Sequence, residues 1–222
     1  IMPHSMQIKM CYPFSSKVFI RHYNYIVMAK VHFFYSTMNA GKSTALLQSN
    51  HNYQETGMHT ILFIPKEDVS KNSGSIKSRI GLKAPAVVLD KKMNLFNFVK
   101  DKDAVQKIDA VLIDEVQFLN KKQVNEVCKV ADLLDIPVMC YGIRTDFRGE
   151  LFEGSSSLLA LADKLEELKT ICTECNRKAT MVIRLDKDSK VVTSGKQILI
   201  GGNETYKVLC RKHFNEMTKL LD

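Results

Sequence analysis

Residues 36–44 read STMNAGKST and lie between the apolar run KVHFFYS and a segment of helical composition, KSTALLQSNHNYQET. In proteins, a strand followed by a glycine-containing loop and a helix can bind phosphate through backbone N–H groups of the loop and the N-terminus of the helix. The pattern G-x-x-x-x-G-K-[ST] is met except at its first position, where Ser36 replaces glycine. A small side chain fits there if its φ angle stays negative, so we interpret residues 36–44 as a phosphate-binding loop.

The helical end of this loop carries the chemistry of the motif. Gly41 lets the backbone approach phosphates closely. Lys42 is expected to reach the β- and γ-phosphates of a nucleoside triphosphate, and the Ser43 hydroxyl to hold Mg²⁺. A chance Gly-Lys-Ser at a helix start is disfavoured by the placement between a strand and a helix.

Up to residue 171, strands alternate with helices. Further strands are predicted at HTILFIP (59–65), APAVVLD (84–90), IDAVLIDE (108–115) and IPVMCYGI (136–143). Helices are predicted from the loop to Gly57, at NLFNFVKD (94–101), after Asn120, and at SSSLLALADKLEEL (155–168). Residues 66–80 are polar and aperiodic, which predicts a mobile surface loop. The alternation predicts an α/β fold with a parallel sheet.

The helix after Asn120 has the clearest pattern. Asn120 is placed to cap it, and Gln123 to return a hydrogen bond to the cap. The predicted buried face consists of Val124, Val127, Val130, Ala131 and Leu134.

Asp114 and Glu115 end a predicted buried strand, at the edge where parallel sheets bind ligands. Asp114 suits a water-mediated contact to Mg²⁺, and strand alternation predicts that Glu115 faces the opposite side. Three interpretations stay open from the residues alone. The pair caps local structure, or Glu115 orients water as in an ATPase, or it deprotonates an acceptor hydroxyl as in a kinase.

Late in the chain, Cys172 and Cys175 form a C-x₂-C pair and Cys210 and His213 a C-x₂-H pair. Two such pairs can close a tetrahedral Zn²⁺ site with no position left for water, so a structural zinc site is predicted over a redox pair. The site would fix both ends of the segment 176–209. Two other cysteines, Cys128 and Cys140, are interpreted as core residues.

The composition is that of a globular protein, with a net charge of +8 and basic residues scattered rather than clustered. A solvated lysine-rich surface is therefore favoured over a nucleic-acid-binding face. No apolar run approaches the roughly 20 residues that span a bilayer. The cysteine usage favours a reducing compartment, and we expect a cytoplasmic location.

Three regions are predicted. Residues 1–27 contain no acidic residue and are interpreted as an N-terminal extension that is disordered or artefactual, with a transit peptide as the alternative. Residues 28–171 form a phosphate-loop α/β domain. Residues 172–222 form a small zinc-bound domain with a long substrate-closing loop and a C-terminal helix.

Five stretches together resemble the type II thymidine kinases: FYSTMNAGKSTALLQS, LIDEVQFL, CYGIRTDFRGELF, the paired-cysteine element and IGGNETY. They occur in the family's order, and the similarity runs from about residue 30 to 214. The resemblance implies transfer of the ATP γ-phosphate to the 5′-hydroxyl of thymidine, with Mg²⁺. It also implies a homotetramer inhibited by thymidine triphosphate, with no nucleic-acid or membrane partner.

The resemblance implies a role for individual residues as well. Glu115 becomes the general base on the 5′-hydroxyl. The ATP-binding residues are Ser36, Thr37, Met38, Asn39, Ala40, Gly41, Lys42, Ser43, Thr44, Asp114, Glu115, Val116 and Gln117. The nucleoside-binding residues are Met38, Phe118, Phe147, Phe152, Leu199, Gly201, Gly202 and Tyr206. Magnesium is assigned to Ser43 and Asp114. No metal or phosphate role is assigned to Asp68, because Ser70 stands where members often have arginine.

The glycine pair at 201 and 202 lets main-chain groups read the edge of a planar base. A donor and an acceptor placed for thymine would leave cytosine unpaired, so thymidine and deoxyuridine are the expected substrates and deoxycytidine is not. The rival interpretations are a zinc-ribbon DNA-dependent ATPase and a zinc-stabilised ATP-binding regulator in which Glu115 is idle.

Overall fold

A computed structural model describes residues 28–69, 74–198 and 206–219, without the side chains of residues 68 and 69. The predictions for the extension 1–27 and for Leu199, Gly201 and Gly202 lie outside the described residues, as does any role for the Asp68 side chain.

The strands are β1 (Val31–Ser36), β2 (Thr60–Pro65), β3 (Ser75–Lys77), β4 (Lys83–Pro85), β5 (Val87–Leu89), β6 (Ala110–Ile113), β7 (Val138–Ile143), β8 (Lys164–Glu167), β9 (Thr170–Ile171), β10 (Lys178–Ala179), β11 (Met181–Leu185), β12 (Val191–Val192) and β13 (Tyr206–Leu209). The helices are α1 (Lys42–Glu55), α2 (Lys66–Val69), α3 (Leu95–Val105), α4 (Lys121–Leu134), α5 (Glu153–Leu161) and α6 (Arg211–Thr218), with a 3₁₀ turn at Val116–Phe118.

The main sheet has six strands in the order β5-β2-β6-β7-β1-β8, and every neighbouring pair is parallel. The predicted parallel α/β fold is therefore confirmed. Strand β7 lies between β6 and β1, so the carboxyl ends of these three strands meet at one edge. Ligands bind at this edge in parallel sheets.

Both faces of the sheet are buried, as parallel strands require. Along β6, Val111 and Ile113 join one core cluster while Ala110 and Leu112 join another on the opposite face. Helix α4 packs on the first of these clusters through the predicted residues. Val124, Val127, Val130 and Ala131 are buried and Leu134 is partly buried.

The predicted capping box of α4 is also confirmed. The Asn120 side chain accepts a hydrogen bond from the Gln123 backbone N–H at 2.9 Å, and the Gln123 side chain accepts one from the Asn120 backbone. The helix therefore begins where its sequence indicates.

Two predictions about secondary structure were wrong. Within residues 66–80, α2 and β3 replace the predicted loop, because Ile76 is buried in the core cluster that contains α1 residues. The predicted helix 155–168 ends at Leu161. Residues 164–167 instead form β8, which extends the sheet beside β1, and the Asp163 carboxylate accepts a hydrogen bond from the Val31 backbone. Pairing with an open sheet edge outweighs the helical composition of KLEE.

After residue 170 the chain forms two small antiparallel sheets and α6. Strand β11 is central in the three-stranded sheet, between β12 and β13. A third, smaller core cluster lies here and includes Cys172 and Cys210. The domain boundary at residue 172 stays a prediction; β9 pairs with β10 across it. Among the described residues, no helix combines the length and apolar character needed to cross a membrane.

Candidate active site and metal centre

A cavity of about 660 Å³ lies at the carboxyl ends of β1, β6 and β7, a volume usual for ligand-binding sites. It is lined by Met38, Asn39, Ala40, Gly41, Lys42, Ser43, Thr44, Ile64, Glu67, Ile76, Lys77, Ser78, Arg79, Ile80, Asp114, Glu115, Gln117, Phe118, Ile143, Asp146, Phe147, Phe152, Val182, Gln197, Ile198 and Tyr206. Most of the residues expected to bind ATP or a nucleoside thus meet in one cavity.

The loop between β1 and α1 adopts the conformation that its glycine allows. Gly41 has φ 77° and caps α1 in the left-handed region, where residues with a Cβ are disfavoured. Ser36 ends β1 and has no positive φ, so the serine fits without strain. Ser36 and Thr37, the first two residues of the loop, are buried and do not line the cavity.

The Lys42 side chain is hydrogen-bonded to these two residues. Its ammonium group donates to the Ser36 hydroxyl at 3.2 Å and to the Thr37 carbonyl at 2.8 Å. Burial lowers the pKa of Lys42, while the negative charges of Glu115 and Asp114 raise it. A buried cation therefore faces two carboxylates across the cavity floor.

Asp114 is buried, and its carboxyl group accepts a hydrogen bond from the Glu115 backbone N–H at 3.0 Å. Burial raises its pKa to about 7, and the charge of Glu115 adds to that rise, against the lowering effects of Ser43 and Lys42. A divalent cation would relieve this cost of burying negative charge, so the Ser43–Asp114 pair fits the predicted Mg²⁺ site.

Strand alternation predicted that Glu115 faces away from Asp114, and this prediction was wrong. Strand β6 ends at Ile113, and Glu115 has φ 49° at the start of the 3₁₀ turn, so both carboxylates line the same cavity. The Gln117 side-chain amide donates to the Glu115 carboxylate at 2.5 Å and orients it.

Aromatic side chains form the wall away from the phosphate loop. Phe118 and Phe152 pack edge to face, with ring centroids 6.3 Å apart, and Phe147 is buried beside them. Tyr206 and Met38 line the same cavity. The Val116 side chain, predicted beside ATP, is fully buried in the apolar core and is not part of the cavity lining.

Several lining residues were missed at the level of sequence. The β3–β4 turn brings Lys77, Arg79 and Ile80 to the cavity, because the Ser78 hydroxyl and carbonyl accept hydrogen bonds that close the turn. Asp146 and Gln197 meet through a 3.2 Å hydrogen bond. The glycine in the stretch SRIGL was the one local indication of the turn; nothing local indicated the Asp146–Gln197 contact.

The predicted zinc ligands come together. The ligand atoms of Cys172, Cys175, Cys210 and His213 all lie within 4.8 Å of one another. Measured separations are 3.4 Å from Cys172 Sγ to His213 Nδ1, 3.6 Å from Cys210 Sγ to the same nitrogen, and 3.9 Å between the sulfurs of Cys175 and Cys210. A tetrahedron with Zn–S of about 2.3 Å has edges of roughly 3.5–3.8 Å. The four groups therefore fit a closed tetrahedral metal site.

The pKa of Cys172 is lowered, whereas the pKa values of Cys175 in the same cluster and of the core cysteines Cys128 and Cys140 are raised. Burial opposes ionisation of Cys172, yet hydrogen bonds from the Cys210 backbone and the His213 side chain bring its pKa down to about 6. Burial raises the pKa of Cys140, which lies in the core as predicted, and that of half-buried Cys128. Thiolates bind metal, so the ligand set is the favoured site.

The family described as "Thymidine kinase" matches residues 29–214. The chain is 54% identical over 189 residues to the thymidine kinase of Salmonella paratyphi A (strain ATCC 9150 / SARB42), which covers 85% of this chain and 92% of that protein. The thymidine kinase of Escherichia coli (strain K12) shows the same identity and coverage. The solved structure of Pif1 helicase from Candida albicans aligns over 64% of this chain and 36% of that one, at 15% identity and a TM-score of 0.42, too low to support an argument. By the family match and these relatives, the chain belongs to the thymidine kinase family.

Proposed function

We propose that this chain transfers the γ-phosphoryl group of ATP to the 5′-hydroxyl of thymidine. One observation carries the proposal: a single cavity is lined by Lys42 of the phosphate loop, by Asp114 and Glu115, and by a wall of aromatic rings. The thymidine kinase relatives, at 54% identity over most of the chain, support the same activity.

Residues 36–44 bind the phosphates of ATP in this proposal. A phosphate oxygen offers Lys42 a charged acceptor in place of the neutral Ser36 hydroxyl, and charge-assisted hydrogen bonds are the stronger kind. Ser43 and Asp114 hold Mg²⁺, which when bound neutralises charge on the transferring phosphoryl group. Both residues line the cavity, and Ser43 partly offsets the rise that burial causes in the pKa of the Asp114 carboxyl group, which supports this assignment.

Glu115 acts as the general base. The 5′-oxygen of thymidine forms a bond to the γ-phosphorus, the bond from that phosphorus to the β,γ-bridging oxygen breaks, and the 5′-hydroxyl proton passes to the Glu115 carboxylate. The Gln117 amide holds this carboxylate by a 2.5 Å hydrogen bond, which restricts the directions from which it accepts the proton.

The aromatic wall receives the nucleoside. Phe118, Phe147 and Phe152 offer flat apolar surface to the sugar and base, and Met38 lies on the same cavity. Main-chain groups of residues 199–202 read the edge of thymine, and Tyr206 follows that segment. Deoxyuridine shares this edge and is accepted, whereas deoxycytidine would leave buried groups unpaired and is rejected.

The C-terminal cluster holds a structural Zn²⁺ through Cys172, Cys175, Cys210 and His213, an assignment that their separations support. We also propose a homotetramer, inhibition by thymidine triphosphate and a cytoplasmic location. Family membership supports the first two, and the thiols that the proposed metal site requires suit a reducing compartment.

The test measures phosphate transfer from ATP to thymidine, deoxyuridine and deoxycytidine, using the chain from residue 28 onward. Thymidine and deoxyuridine are expected to be phosphorylated, with thymidine preferred. ATP turnover with single-stranded DNA in place of nucleoside is the second arm. Turnover that needs DNA and ignores thymidine would replace the proposal with a DNA-dependent ATPase, and turnover with neither would favour a regulator without chemistry.

A further inference from the structure

Arg184 is a buried cation in the small C-terminal sheet, away from the phosphate loop. It lies on the central strand β11 and is 6% exposed. Among the described residues no carboxylate forms an ion pair with it; its recorded side-chain partners are one aromatic ring and two main-chain carbonyls. Burying a charge without a counterion is costly, so these three contacts have to hold it.

The aromatic contact joins Arg184 to the cavity wall. The guanidinium carbon lies 3.8 Å from the centroid of the Phe147 ring, close contact for a cation over a ring. Arg148 also faces this ring, but at 5.7 Å and while paired with Asp146 and Glu150. Arg184 is therefore the cation that packs against Phe147.

The carbonyl contacts join Arg184 to the segment that precedes residue 199. Its Nη1 donates to the Lys196 carbonyl at 2.8 Å, and its Nη2 donates to the Ser194 carbonyl at 3.2 Å. Gly195, between them, has φ 111°, and a Cβ there would lie 3.1 Å from Nη2. A forked, planar donor suits this arrangement, which a lysine ammonium cannot reproduce.

The strand register also places Arg184 beside Tyr206. Arg184 is paired directly with Tyr206, the first residue of β13, so the two side chains share one face of the sheet. Gln197 and Ile198, which follow the clamped carbonyls, line the cavity, as does Tyr206. One side chain thus contacts a cavity-wall ring and the carbonyls that precede Gln197, and its register partner is Tyr206.

We propose that Arg184 is a positioning residue for the nucleoside, which holds the Phe147 ring, the backbone at Ser194 and Lys196 and the neighbouring strand at Tyr206 in the geometry that thymidine binding requires. The proposal rests on the function proposed above. It assigns Arg184 to the nucleoside alone, because its recorded contacts include no residue of the phosphate loop.

The test compares Arg184→Lys with the unmodified enzyme in steady-state kinetics and in thymidine binding by calorimetry. Loss of the fork and of ring stacking is expected to raise the KM and Kd for thymidine at least about tenfold, the equivalent of one hydrogen bond to a charged group. The KM for ATP is expected to stay within about twofold. Arg211→Lys, at an exposed arginine in the same C-terminal region, is the matched control and should change neither.

A second variant approaches the same contact from the other side. Gly195→Ala keeps Arg184 but strains the backbone at φ 111° and places a Cβ 3.1 Å from Nη2, so the contact between Arg184 and the two carbonyls has to shift. It is expected to produce the same thymidine-selective loss. Equal changes in the thymidine and ATP constants, or no change in folded variants with normal zinc content, would overturn the positioning role. If the unmodified chain fails to phosphorylate thymidine, the proposed function fails instead, so the two failures are distinguishable.

Discussion

The parallel-sheet region and the C-terminal region reach a stable structure by different routes. In the sheet region, apolar side chains bury both faces of the strands in one large cluster and one small one. In the C-terminal region the single core cluster is small, and two of its buried members, Cys172 and Cys210, belong to the metal-ligand set. Small cores commonly need a metal to fold. We therefore expect apolar packing to stabilise the sheet region and bound zinc to stabilise the C-terminal region.

The two regions also divide the cavity. The cation and both floor carboxylates, Lys42, Asp114 and Glu115, come from the sheet region, whereas the C-terminal region contributes Val182, Gln197, Ile198 and Tyr206. Perturbing the C-terminal region is therefore expected to change nucleoside binding more than chemistry, although the sheet region also contributes Phe118, Phe147 and Phe152 to the proposed nucleoside wall.

The largest effect is expected from the sheet region's proposed base. Glu115→Gln keeps the size of the side chain but removes its ability to accept the 5′-proton, so kcat should fall by about 10²–10⁴. ATP affinity, measured by calorimetry, should persist because the loop and Lys42 are unchanged. Glu55→Gln, at an exposed glutamate on α1, is the control. Near-normal turnover of Glu115→Gln would refute the assignment.

The next largest effect is expected when a ligand of the proposed zinc site in the C-terminal region is removed. Cys175→Ser should weaken zinc binding by more than the roughly 10–100-fold typical of outer-shell changes, because it removes a ligand itself. Thymidine affinity should fall with zinc content while ATP affinity is kept. Metal analysis under reducing conditions should find zinc in the unmodified protein and in the control Cys128→Ser, which lies outside the cluster. Freshly purified unmodified protein without zinc would contradict this.

A smaller effect probes the packing that holds the sheet region's site. A Cβ on Gly154 in α5 would lie 2.2 Å from the Val116 carbonyl oxygen and 2.9 Å from that of Leu119. Gly154→Ala must therefore displace the 3₁₀ turn that follows Glu115, and we expect about 1–3 kcal/mol less unfolding free energy, with lower kcat. Ser156→Ala, on the exposed face of the same helix, is the control. Unchanged stability of Gly154→Ala would show that the 3₁₀ turn shifts without cost and would contradict the prediction.

The smallest effect concerns the buried carboxyl of the same region. Because the pKa of Asp114 is raised to about 7 in the folded protein, the native state keeps a proton that the unfolded chain has lost between about pH 4 and pH 7. Stability of the metal-free protein should therefore decline as pH rises through this window. Asp114→Asn escapes the decline and should gain about 1 kcal/mol or more over the unmodified protein between pH 5 and pH 8.

Thermal or denaturant unfolding at several pH values, with excess chelator, measures this difference. The exposed Asp132→Asn is the control and should follow the unmodified protein. Parallel pH curves for Asp114→Asn and the unmodified protein would contradict the burial argument. Asp114→Asn should also lose activity, because it weakens the proposed Mg²⁺ contact.

Much of the site was predictable because its chemistry lies in contiguous motifs. The loop 36–44 and the spacing of Cys172, Cys175, Cys210 and His213 each indicated their ligand class, and the structure brings each set together. Prediction failed where an environment outweighed local preference. KLEE became strand β8 because β1 offered an unpaired edge. Glu115 joined Asp114 in the cavity because β6 ends at Ile113, two residues before the end of the predicted strand.

By itself, the sequence determined the main alternation of strands and helices, the capped helix α4, the phosphate loop and the metal-ligand set, since local backbone preference and short ligand spacings need few distant partners. Tertiary structure alone decided which residues share the cavity. Arg184 and Phe147 are far apart in the chain and meet only when the C-terminal sheet packs against the loop after β7. Such contacts depend on how whole elements are placed, and no pattern among neighbouring residues encodes that placement.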